Sequence, residues 1–115
     1  MKNTQLHETI VTLEKTSRQQ KVKIWNVIAT QLAKPSRNMR EVNLKKLSLH
    51  TQKGESVIVP GKVLGTGTLT HPLTVIAYSW STAAETKITQ AGGSIRSITD
   101  EISKNAKGAK LRIIG

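Results

Sequence analysis

Apolar positions along the first third of the chain fall at helical spacing. Leu6, Ile10 and Leu13 recur at i, i+4 and i+7 and predict a first helix over 4–19 with polar remaining faces. A second helix over 21–33 places Ile24, Trp25, Ile28, Ala29 and Leu32 on one side and Lys23, Asn26 and Thr30 on the other, and Pro35 stops it. Asn43 is suited to cap a short third helix through Leu44 and Leu47, because its side chain can accept a bond from an unpaired amide. From Ser56 the period changes. Val57-Ile58-Val59 and Lys62-Val63-Leu64 read as two short strands about a Pro60-Gly61 turn, with Gly61 supplying a positive φ.

Leu73 to Ala77 has the β-branched content and length of a buried strand. Thr82 and Glu85 stand at capping-box spacing ahead of the apolar stripe Ala84, Ile88 and Ala91, and Gly92-Gly93 ends that helix. A strand over 94–98, a short helix over 99–104 and a last strand over 111–114 follow. Strand, helix, strand, helix, strand makes the second half α/β. The two successive strand-helix units hint at a structural repeat. The expected architecture is one domain, a basic helical region over 1–50 on or extending from a small α/β core over 51–115.

Charge narrows the function. The chain of 115 residues holds 18 Lys and Arg against 7 Asp and Glu, a net charge of +11. Repulsion on that scale opposes compaction unless a polyanion neutralises it, and nucleic acid is the usual one. The basic residues are clustered: ten lie between Lys15 and Lys53 with Glu41 as the single acid, and Lys104, Lys107, Lys110 and Arg112 close the chain with none. Ten neutralised phosphates would lower log K with log salt at a slope of about −7 to −9. Cysteine is absent, which excludes disulfides and thiolate metal sites and fits a reducing cytosolic setting. No apolar run of membrane-spanning length and no classical secretion signal is expected.

Enzyme chemistry finds little support. Gly65-Thr66-Gly67 follows a strand, but Thr70 stands where a dinucleotide-binding turn needs its third Gly. Gly61-Lys62 continues with Val63, so it is not a P-loop, and Gly93-Ser94 lacks the final Gly of a nucleophile elbow. His7, His50 and His71 are far apart and read as surface or RNA-facing groups. Asp100 and Glu101 sit in a first helical turn, where capping is their default role. Trp25 and Trp80 could stack on bases, but Trp25 lies on its helix's apolar face, so core packing is the stronger reading. No cofactor, metal or small-molecule substrate is expected. The predicted mode is phosphate and shape reading of folded RNA.

Three motifs in order carry a family resemblance: Pro35-Ser36-Arg37-Asn38-Met39-Arg40-Glu41-Val42-Asn43-Leu44; then Val59 to Leu69 with Ser81, Ala84, Ile88, Ala91, Gly92 and Gly93; then Asn105-Ala106-Lys107-Gly108 leading to Arg112-Ile113-Ile114. As a set they resemble the archaeal and eukaryotic large-subunit ribosomal protein eighteen, a relative of bacterial ribosomal protein fifteen. The absence of long basic tails looks more archaeal than eukaryotic. Trp80 in place of Phe and Ala106 in place of a common Pro depart from the pattern. The resemblance implies an irregular superhelical β-β-α core with a helical N-terminal region, contact with large-subunit ribosomal RNA (rRNA) and neighbouring ribosomal proteins, a cytoplasmic ribosome and no catalysis. The residues expected to meet RNA are Arg18, Lys21, Lys23, Lys34, Arg37, Arg40, Lys45, Lys46, Lys62, Lys107, Lys110 and Arg112. The competing class is a non-ribosomal RNA chaperone or nucleic-acid-coating protein, which shares the charge.

Overall fold

A computed structural model describes residues 4–33 and 40–114. The order is α1 (Thr4–Gln20), α2 (Ile24–Leu32), β1 (Arg40–Asn43), α3 (Leu44–His50), β2 (Ser56–Leu64), β3 (Thr74–Trp80), α4 (Thr82–Gln90), β4 (Ser94–Ser97), α5 (Ile98–Lys104) and β5 (Arg112–Ile113). The α/β expectation holds. All strand pairs are parallel, in the order β1-β2-β3-β4. β5 pairs with Val57 and Ile58 of β2, while β1 pairs with Gly61 to Leu64, so the two short strands share the β2 edge that β3 leaves open.

A parallel sheet is stable when both faces are covered. Here the alternation within each strand sorts side chains into two cores. Val57, Val59, Val63, Val75 and Ala77 pack with Leu44, Leu47, Leu69, Ala84 and Ile88 on the face carrying α3 and α4. Ile58 and Ile76 point the other way, into Leu13, Trp25, Ile28, Leu32, Ile98 and Ile102 of α1, α2 and α5. The helical stripe of α1 is wider than Leu6, Ile10 and Leu13 alone, since Thr9 and Thr16 are buried beside Leu13. Connections from β1 through β4 cross the first face, by α3, by the segment holding Leu69 and by α4. The return from β4 to β5 runs the opposite way along the sheet and uses α5 on the opposite face. Reversing both direction and face preserves the hand of the crossover, as the one-handed rule for parallel connections requires.

The Pro60-Gly61 turn is corrected: Ser56 to Leu64 form one strand of nine residues. The chain does not reverse there because neighbours on both edges keep it extended. Its register with β3 shifts between Val59 and Lys62, a bulge that accommodates a proline lacking an N–H. Gly61 does not use a positive φ. Its need is space: a Cβ there would lie 2.1 Å from the Arg40 carbonyl oxygen of β1. Gly61→Ala is expected to lower stability by about 1–3 kcal/mol and to loosen β1 selectively, measurable as faster amide exchange at 41–43 than along β3.

The capping box at Thr82 is also corrected. Ser81 is the N-cap, accepting from the Ala84 amide, because its extended backbone places the hydroxyl over the first turn. Glu85 instead accepts from the Trp80 indole at 2.9 Å. Ser97 repeats the device at α5, accepting from the Asp100 amide, so both strand-helix junctions of the second half are built alike. Asn43 caps α3 as expected, accepting from the Lys46 amide at 2.9 Å.

Candidate nucleic-acid interface

The two basic segments meet at the start of α2. Trp25 is fully buried, as its apolar face predicts, and its indole N–H donates to the Ala106 carbonyl at 2.6 Å across 81 residues of sequence. Gly108, at φ +63, lies against the same turn: a Cβ there would come within 2.5 Å of the Ile24 side chain and 3.4 Å of the Trp25 ring. Loop 105–110 is therefore laid on the N-terminus of α2. Lys23 occupies the N-cap of α2 and Lys21 the preceding turn, so this docking joins them to Lys107 and Lys110 in one exposed basic patch. Arg18 and Lys104 extend it from the last turns of α1 and α5.

The patch is electrostatically uncompensated. Among the described residues, ion pairs join Arg96 to Glu101 and Arg112 to Glu55, and none involves a cation of the patch. Lys21 and Lys110 are the two described non-glycine residues with positive φ, at 55° and 61°. Such conformations are costly for residues bearing a Cβ and gather at functional sites.

The other predicted residues lie elsewhere. Lys45 and Lys46 ride on α3, across the sheet from α1 and α2. Arg40 sits at the edge, paired in register with Gly61, and Lys62 stands on an extended strand opposite Glu41 instead of in a turn. Arg112 is turned inward electrostatically: its guanidinium lies 3.3 Å from Glu55. The Glu55 carboxyl is held below its ordinary range, first by the Gln52 amide and then by Arg112. Lys34 and Arg37 lie outside the described residues.

Three charged side chains were not read from the sequence. Lys87 donates to the Gly65 and Gly67 carbonyls at 2.8 and 3.1 Å, tying that segment to α4. Glu101 is not a capping residue: it is buried, accepting from Arg96 at 2.7 Å and from Asn105 at 3.1 Å. Arg96, its partner, belongs to the scaffold. A signal for Glu101 was present, because it falls three residues after Ile98 and beside Ile102, on the apolar face of its helix. His71 is also committed, with its ring nitrogens 2.8 Å from the Thr51 hydroxyl and 3.0 Å from that of Thr70. Among the described residues no three His, Asp or Glu gather as metal ligands, and no helix is long and apolar enough to cross a membrane.

Residues 19–96 match a family described as ribosomal proteins 50S-L15 and 50S-L18e with their 60S counterpart. Over 112 residues the chain is 46% identical to the large ribosomal subunit protein eL18 of Methanospirillum hungatei and 43% identical to that of Methanoregula boonei, spanning 97% of this chain and 93% of each relative. The eL18 protein of Haloarcula marismortui is 39% identical, with 97% and 96% covered. Identity of this order along nearly the whole length, on motifs that build the sheet and the loop beneath the basic patch, means that the chain belongs to the eL18 family of large-subunit ribosomal proteins.

Proposed function

We propose that this chain is a structural constituent of the large ribosomal subunit that holds folded rRNA by its phosphates and catalyses nothing itself. The observation that carries this is the patch of Lys21, Lys23, Lys107 and Lys110, four exposed cations from two distant segments brought together with no acid paired to them. Lysines at such a site meet phosphate oxygens and position the protein without reading bases. Exposed stacking platforms are not part of the design: Trp25 is buried, and the Trp80 indole is occupied by Glu85.

Lys45 and Lys46 on the opposite side of the sheet, with Arg40 and Lys62 at its edge, form further contact points, and Lys34 and Arg37 belong to the segment between α2 and β1. Cations on both sides suit a protein wedged between RNA segments better than one lying in a single groove. Arg112 contributes least, since Glu55 already neutralises it in part. Neighbouring ribosomal proteins are the remaining partners, and the cytoplasmic ribosome is the setting.

Sedimentation of the tagged protein in lysate, with salt raised stepwise, tests the reading. The expected result is retention in the large-subunit peak through a high-salt wash. Release at moderate salt, or spread over all nucleic acid, would favour an RNA chaperone or coating protein.

A further inference from the structure

Loop 105–110 is closed by one side chain. The Asn105 amide N–H₂ donates to the Ala109 carbonyl at 3.0 Å, and its Oδ1 accepts from the Ala109 amide at 3.1 Å. The Gly108 amide adds a bond to the Asn105 carbonyl at 2.9 Å. This pairing requires the Asn105 amide group to face one way, and Glu101 dictates which. An ionised carboxylate only accepts, so the N–H₂ and not the Oδ1 must face Glu101 Oε2, 3.1 Å away. Glu101 is in turn held from its other oxygen by Arg96 on β4. A chain of charge-assisted bonds thus runs from the sheet, through the buried Glu101, to the backbone that carries Lys107 and Lys110.

We infer that Asn105 and Glu101 are positioning residues for phosphate binding, preforming loop 105–110 so that Lys107 and Lys110 meet RNA in a fixed geometry; this rests on the reading of those lysines as RNA contacts. Neither residue touches RNA. Their effect is to remove disorder that binding would otherwise have to remove, which is how preorganisation raises affinity. The left-handed backbone of Lys110, one residue beyond the Asn105–Ala109 bonds, is held by the same closure.

The test is a pair of charge-neutral variants of the full chain, Asn105→Ala and Asn105→Ser, neither of which can span to Ala109. Binding to transcribed large-subunit rRNA is measured across a salt series, beside Lys107→Gln/Lys110→Gln. The inference expects the Asn105 variants to bind about ten-fold more weakly, with a salt slope shallower by about one although no charge has changed. Amide protection at Ala109 should be lost in the free variants while that of β2 and β3 is kept, which separates loop release from unfolding. Wild-type affinity and slope in both Asn105 variants, with weakened binding in the lysine pair, would overturn the positioning role and leave the lysines as contacts. Wild-type binding by the lysine pair would overturn both.

Discussion

Replacing Lys21, Lys23, Lys107 and Lys110 together by Gln is expected to weaken binding to large-subunit rRNA by about a thousand-fold at 0.1 M salt and to make the salt slope shallower by about three. Each phosphate contact contributes about 0.7–0.9 to the slope, so each gains roughly five- to eight-fold as salt falls from 1 M to 0.1 M, and four are lost at once. All four side chains are exposed, so the thermal midpoint should move little. Filter binding or fluorescence titration over a salt series checks both numbers. A slope unchanged from wild type would place the footprint on Lys45, Lys46 and the sheet edge instead.

Trp25→Ala is expected to produce the largest loss of stability, about 3–5 kcal/mol. Trp25 is fully buried among Leu13, Ile28, Ile58 and Ile76, so truncation leaves a large cavity on that face. It also strands the Ala106 carbonyl that the indole satisfied. Against a total of about 5–15 kcal/mol this is a major fraction. Thermal unfolding should show a midpoint lower by roughly 10–25 °C. Wherever the variant remains folded, loop 105–110 loses its anchor on α2, and rRNA affinity should fall with no change in net charge. A midpoint within a few degrees of wild type would mean that the ring is not the keystone of this core.

Much of the fold was legible in local pattern. The stripe Leu6, Ile10, Leu13 and the apolar side of α2 survive in the structure because helical periodicity survives whatever packs against it. The stop at Gly92 holds because that residue takes φ +88, which few others adopt readily. Reading failed where a neighbour decided. β1 carries exposed Arg40 and Glu41 and one buried valine, so it has no period of its own and is a strand because β2 lies beside it. Pro60-Gly61 has the composition of a turn, yet strands on both edges keep it extended.

The candidate site divides in the same way. Net charge is a sum over residues and needs no coordinates, and so the sequence by itself determined that the chain is basic, that it suits a polyanion, and that its cations fall into two clusters. The family motifs were likewise present in the linear order. Only the tertiary structure decided which cations share a surface. Lys21 and Lys23 stand beside Lys107 and Lys110 because Trp25 and Ala106, 81 residues apart, close on each other, while Lys45 and Lys46 are carried to the far side of the sheet. It also decided which charges are already occupied. Arg96, Lys87 and Arg112 look like any other cation in sequence, but the fold pairs them with Glu101, two backbone carbonyls and Glu55. The physical reason is range: periodicity and capping act over a few residues, whereas pairing and burial depend on contacts that form only when the whole sheet is assembled.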